Sequence, residues 1–242
     1  MTGVRGRRIG VALLAAAALL GCDLEFTDPA RPTLHYWIRA TLRDSVTSRL
    51  SVHAGLVADV GIDVGEDPAT TLLRVNGVWI EPAVGERSLT YAYEVELDAP
   101  GAVVAVVEPP AAWDARLPTY ELNFLRRSGP REIVFDPRES VELPLAVPDS
   151  MPAIDQLLVD VFHVGAEDGS PVLHLVADDG TVPDTIRFSA QHLGATDGAE
   201  YTAIVQAFDL TRPTPVALFV GGTEISVGIH SVVRWRLTAI AE

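Results

Sequence analysis

Four sets of residues in this chain have types and spacings that could do chemistry. The first is acidic: Asp59, Asp63, Glu66 and Asp67 crowd into "ADVGIDVGEDP", and Asp178 with Asp179 precedes Gly180. Carboxylates converging on a loop are what calcium requires, at about six to eight oxygens per ion. Neither stretch has the D-x-[DN]-x-[DN]-G spacing of a calcium loop, so a solvated acidic turn is the expectation and no metal is assigned. The second set is His163 and His174, on neighbouring expected strands where the two rings could face each other. Zinc takes three or four ligands and Asp160 is the one local carboxylate, so a surface or hydrogen-bonded histidine pair is expected. The third is Trp37, Trp79, Trp113 and Trp235, which could offer stacking faces to a sugar. Each lies in or beside an expected strand, which makes packing in the core or between sheets the default. The fourth is the serine, histidine and carboxylate complement of a hydrolase, from which no spacing singles out a set.

Catalytic signatures are missing from the sequence. There is no G-x-S-x-G, G-x-G-x-x-G or H-E-x-x-H, and the cysteine count is one. All eighteen basic residues are arginine. Without lysine, Schiff-base and pyridoxal chemistry, a P-loop and Ser-Lys acyl transfer are excluded, because each needs an amine of tunable pKa. The expectation is a protein that is not an enzyme and carries no cofactor.

The single cysteine, Cys22, sits at the end of a tripartite leader. Arg5, Arg7 and Arg8 make a positive start, Ile9 to Leu20 is an uncharged apolar run, and Gly21-Cys22 closes it. Twelve residues fall short of the ~20 a membrane-spanning helix needs, so this is a signal segment rather than a span. Leu19-Leu20-Gly21-Cys22 resembles the lipobox of bacterial lipoproteins. The resemblance implies cleavage after residue 21 and acylation of the Cys22 sulfur, which makes membrane lipid a partner through that residue. Two or three acyl chains, at about 0.8 kcal/mol per buried methylene, hold where one chain would not. Asp23 resembles the inner-membrane retention signal of enteric bacteria, a rule other phyla do not share, and the expected address is the cell envelope, with the outer membrane placed before the inner.

Loss of residues 1–21 removes three arginines and moves the formal charge from -15 to -18. Such a surface repels phosphate backbones, and no basic stripe interrupts it, so no nucleic acid is expected as a partner. Hydrophobic residues make up 48% of the chain, enough for a sizeable core.

The elements that must position these residues read as short strands. Residues 22–33, with Pro29 and Pro32, form an expected tether. Leu34, Tyr36, Ile38, Ala40 and Leu42 then alternate with polar residues at the two-residue period of a half-buried strand. Leu72 to Ile80 carries Asn76-Gly77 between apolar runs, the signature of a type I′ hairpin. Leu89 to Leu97 and Ala102 to Val107 follow. Between Pro109 and Pro152 stand eight of the seventeen prolines, which suit turns, edges and junctions. Tyr120 to Leu125 and Glu132 to Phe135 are expected to pair across Ser128-Gly129-Pro130 and open a second domain. Leu157 to Val164, Val172 to Ala177, Thr185 to Ser189, Tyr201 to Phe208, Val216 to Val220 and Val232 to Thr238 complete it, with one helical turn over Ser189 to Leu193. The fold class expected is all-β: two tandem Ig-like antiparallel β-sandwich domains, 34–110 and 111–242, after a lipoprotein signal peptide.

Sandwiches behind a lipobox, with phrases such as "RVNGVWIEP" and "LVADDGTVP", resemble envelope lipoproteins of high-GC Gram-negative bacteria. That class carries no activity to particular residues. It implies a lipid-anchored interaction or structural module whose partner is an envelope protein or ligand, with a calcium- or carbohydrate-dependent adhesion or ligand-binding lipoprotein as the alternative.

Overall fold

The computed structural model describes residues 34–241, leaving aside 59–70, 86–87, 99–100, 102, 111–116, 150, 152–153, 166–168 and 219–220. The chain is all-β and builds sandwiches from mostly antiparallel strands, with parallel pairings at β16. In the first half the strands are β1 (Leu34–Asp44), β2 (Ser48–Ala58), β3 (Leu73–Val75), β4 (Val78–Ile80), β5 (Ala83–Gly85), β6 (Ser88–Leu97), β7 (Val103–Glu108) and β8 (Tyr120–Phe124). In the second they are β9 (Arg126–Arg127), β10 (Glu132–Phe135), β11 (Ser140–Ala146), β12 (Ile154–His163), β13 (Leu173–Gly180), β14 (Thr185–Ser189), β15 (Glu200–Leu218) and β16 (Gly221–Ala239). No described helix is long and apolar enough to cross a membrane.

One large sheet runs through the molecule in the order β13-β12-β15-β16-β1-β2-β6-β5, with β10 joined to the end of β16. Two small sheets, β4-β3-β7-β8 and β14-β11-β9, complete two sandwiches. The first core gathers Tyr36, Ile38, Leu42, Leu56, Val107 and Phe124; the second gathers Leu125, Val141, Val161, Tyr201 and Trp235. The first core thus reaches past residue 110 to Phe124, and consecutive residues Phe124 and Leu125 serve different cores.

The alternation in β1 is realised: Tyr36, Ile38, Ala40 and Leu42 are all buried. Asn76 and Gly77 carry φ of 50° and 80°, the positive pair that a type I′ turn demands. The asparagine also reaches outward, because its Oδ1 accepts from the Val106 amide at 2.8 Å and its own amide donates to the Val106 carbonyl at 2.9 Å. That second bond pair pins the hairpin to β7. The helical turn expected after β14 is a 3₁₀ turn, Ala190–Leu193, capped by the Ser189 side chain and by Gly194 in the left-handed region.

Three local expectations are corrected. Tyr120–Phe124 does not pair with Glu132–Phe135: β8 joins β7, and β10 runs parallel to the end of β16. Residues 201–208 and 232–238 are not short strands but parts of a hairpin whose arms, β15 and β16, each span nineteen residues. Ile225, Val227 and Ile229 on β16 face the first core, while Val233, Trp235 and Leu237, on the same side of the strand, face the second. Its N-terminal part runs parallel to β1, from Leu34↔Thr223 to Asp44↔Val233. Pro144 lies within β11 rather than at a junction. It sits where that strand changes partner from β14 to β9, so the missing amide falls at a handover.

Candidate functional site

Cys22, the acidic residues Asp59, Asp63, Glu66 and Asp67, and Trp113 lie outside the described residues. Asp178 is on β13, where Gln156 Nε2 donates to its Oδ1 at 3.2 Å across the β12 pairing. No group of three or more metal-ligating side chains converges among the described residues.

His163 and His174 do not face each other. Asp160 stands opposite His174 in the β12–β13 register, and His174 Nδ1 lies 2.6 Å from Asp160 Oδ1. His163, an odd number of residues along β12 from Asp160, projects from the other side of the strand. Its ring meets Tyr201 edge-on at 5.1 Å. The period of two decides this outcome, since neighbouring strands do not bring opposite sides together.

The tryptophans part company. Trp235 is buried in the second core at 1% exposure, as expected, with no hydrogen-bond partner for its indole nitrogen. Trp79 is instead 61% exposed, with Arg74 standing 5.3 Å from its ring centroid. Trp37 points away from the core, on the outer side of β1. It crosses over Gly55 on β2, where an added Cβ would clash with the indole ring. Only a glycine admits the ring there. A groove of about 290 Å³ opens beside it, with His53, Glu81 and Thr90 among its walls. An aromatic face flanked by a carboxylate, an imidazole and a hydroxyl is an arrangement suited to a sugar ring.

The most heavily bonded polar site lies on the seam between the cores. Asp44, the last residue of β1, is 2% exposed. Its carboxylate accepts from the Arg127 amide at 2.8 Å, from Arg127 Nη2 at 3.0 Å and from Ser48 Oγ at 2.7 Å. Arg126 Nη2 donates in turn to Ser48 Oγ at 2.9 Å, and Arg127 Nη2 donates to the Ser45 carbonyl at 3.0 Å. Burial pushes the Asp44 carboxyl up, but the bonds from Arg127 and Ser48 with the Arg127 charge outweigh it and hold the group below its ordinary value. Nearby, Ser231 Oγ on β16 accepts from the Leu125 amide at 3.0 Å. Since β9 belongs to the second sandwich and β1 closes the first, this network ties the two together.

On the outer face of the large sheet, the seam opens into a groove of about 550 Å³. Ile204 and Gln206 of β15, His230, Val232 and Arg234 of β16, Arg43 and the buried Asp44 of β1, and Ser45 line it. His230 stacks on Phe208 with centroids 4.3 Å apart and rings 13° from parallel. Burial, and then the charge of Arg43, push the His230 imidazole below its ordinary value. Its Nε2 lies 3.2 Å from Gln206 Oε1. No spacing in the sequence marks these residues, because they come from three strands that only the fold sets side by side.

No protein-family model matches the chain, and no curated protein matches it significantly.

Proposed function

We propose that this is a lipid-anchored cell-envelope protein that works as a non-enzymatic interaction or structural module. The observation that carries the reading is Leu19-Leu20-Gly21-Cys22 after a short apolar run with three arginines before it. Acylation explains why the chain holds one cysteine, since an attachment point needs no disulfide partner. The body fits the role of a rigid presenting element: two sandwiches joined by one large sheet, with grooves on its outer face. Substitution Cys22→Ala tests the anchor. The variant is expected to stay an unprocessed precursor and to take up no labelled fatty acid, and labelling that survives would overturn the reading. Membrane fractionation with surface proteolysis of the wild type then reports which membrane and which face.

The Trp37 groove favours a second reading, an adhesion or ligand-binding lipoprotein that recognises carbohydrate. The indole laid over Gly55 beside Glu81, His53 and Thr90 supports it. Titration with a panel of envelope and host-type glycans, wild type against Trp37→Ala, tests it. Saturable binding lost in the variant supports the reading, and no binding by the wild type removes it.

A further inference from the structure

The geometry points to an oxyanion-binding groove on the seam, one that takes a phosphate group carried on a small, partly apolar body between Arg43 and Arg234.

The sheet register builds the site. Arg43 on β1 stands beside Val232 on β16, and Arg234 is two residues further along, so the two arginines project from the same side on adjacent strands. Across the next pairing Arg43 stands directly opposite Arg49 on β2. Like charges at that spacing repel, and a sheet that keeps them needs a compensating anion or bears the cost. Arg49 has one in Glu96, at 3.2 Å. Of the other carboxylates closest in register, Glu200 is paired with Arg236 at 2.7 Å and Asp44 with Arg127, while Asp160 contacts His174 two strands away from Arg234. Arg43 and Arg234 are left with no ion pair among the described residues. In a chain of formal charge -15, two exposed arginines without an ion pair among the described residues, on a groove whose own carboxylate, Asp44, is buried and bonded to Arg127, are a local reversal of sign.

The rest of the groove defines the ligand. Guanidinium forks match the oxygens of phosphate better than a point charge does. The Gln206 amide supplies further hydrogen-bonding capacity at the same wall. Val232, 9% exposed, and the half-buried Ile204 form an apolar floor. The volume of about 550 Å³ exceeds what a bare oxyanion fills, so the body attached to the phosphate has room against that floor. The depressed His230 imidazole is a second sign of the same positive field, since Arg43 is one of the two causes acting on it.

The test is isothermal titration of the full chain in mild detergent at low ionic strength. Three probes separate the sources of the group: inorganic phosphate, phenyl phosphate for a small ligand with an apolar body, and glycerol 3-phosphate for a lipid headgroup. Phenyl phosphate is expected to bind saturably with a dissociation constant below about 10 mM and more tightly than inorganic phosphate. Each of Arg43→Ala and Arg234→Ala is expected to weaken it about tenfold, equivalent to about 1.4 kcal/mol. Arg138→Ala, which removes an exposed arginine already paired with Asp136, is expected to leave binding unchanged. Tighter binding of glycerol 3-phosphate than of phenyl phosphate, lost in the same two variants, would keep the oxyanion site but overturn the apolar body in favour of a headgroup. No saturable binding of any probe, or an equal loss in Arg138→Ala, would overturn the site.

Discussion

Removing the Asp44 carboxylate is the sharpest way to ask what holds the two sandwiches together. The side chains of Asp44, Arg126 and Arg127 are 2%, 8% and 15% exposed, so the variant Asp44→Ala leaves two largely buried guanidiniums at the seam without their carboxylate. Breaking a buried pair from one side costs about 3–5 kcal/mol, because the stranded charge keeps its desolvation penalty and loses the attraction that offset it. For a chain of this size, about 2–4 °C of melting temperature per kcal/mol gives a fall of about 6–20 °C. Urea unfolding followed by circular dichroism and tryptophan fluorescence gives the free energy directly. The control is Glu96→Ala, whose partner Arg49 is 55% exposed and for which a loss of at most about 1 kcal/mol is expected. A third variant, with Asp44, Arg126 and Arg127 all replaced by apolar residues of similar volume, is expected to recover most of the loss, because no stranded charge remains. A fall of under about 1 kcal/mol for Asp44→Ala would refute the reasoning. The same carboxylate sets an acid limit. Its folded pKa lies below the unfolded one, so its contribution is complete above about pH 4 and is lost as pH falls through the folded value. In Asp44→Asn that part of the acid limb is expected to flatten.

Other outcomes follow from single contacts. Ser231→Ala is expected to cost about 1–3 kcal/mol in urea unfolding, since it leaves the Leu125 amide buried without an acceptor. Trp235→Phe is expected to lose much less than the roughly 3–5 kcal/mol of Trp235→Ala, because the indole nitrogen has no partner to forfeit; equal losses would show otherwise. Gly77→Ala, at φ of 80°, is expected to lower stability by about 1–2 kcal/mol through left-handed strain alone. Gly55→Ala is expected to drive the Trp37 ring outward, seen as a red shift of its emission, with overpacking of about 1–3 kcal/mol if the ring stays.

Features that depend on neighbours along the chain are legible in the residues alone. Alternation over Leu34 to Leu42 set the strand and its buried side, because side chains on a strand point to opposite faces whatever it pairs with. Asn76-Gly77 set the turn, because those two residue types tolerate positive φ. Ser189 to Leu193 held a helical turn for equally local reasons, and the structure adds Gly194 as its C-terminal cap. Which strands meet is not local, since pairing partners are chosen by burial across the whole molecule. Gly228, His230 and Ser231 interrupt the apolar texture of β16, yet the strand continues through them, passing from one core to the other at the buried Ser231. Asp44 and Arg127 are 83 residues apart and meet at one carboxylate, which no spacing announces. The groove of Arg43 and Arg234 arises likewise: a parallel pairing of β1 with β16 brings together residues roughly 190 positions apart.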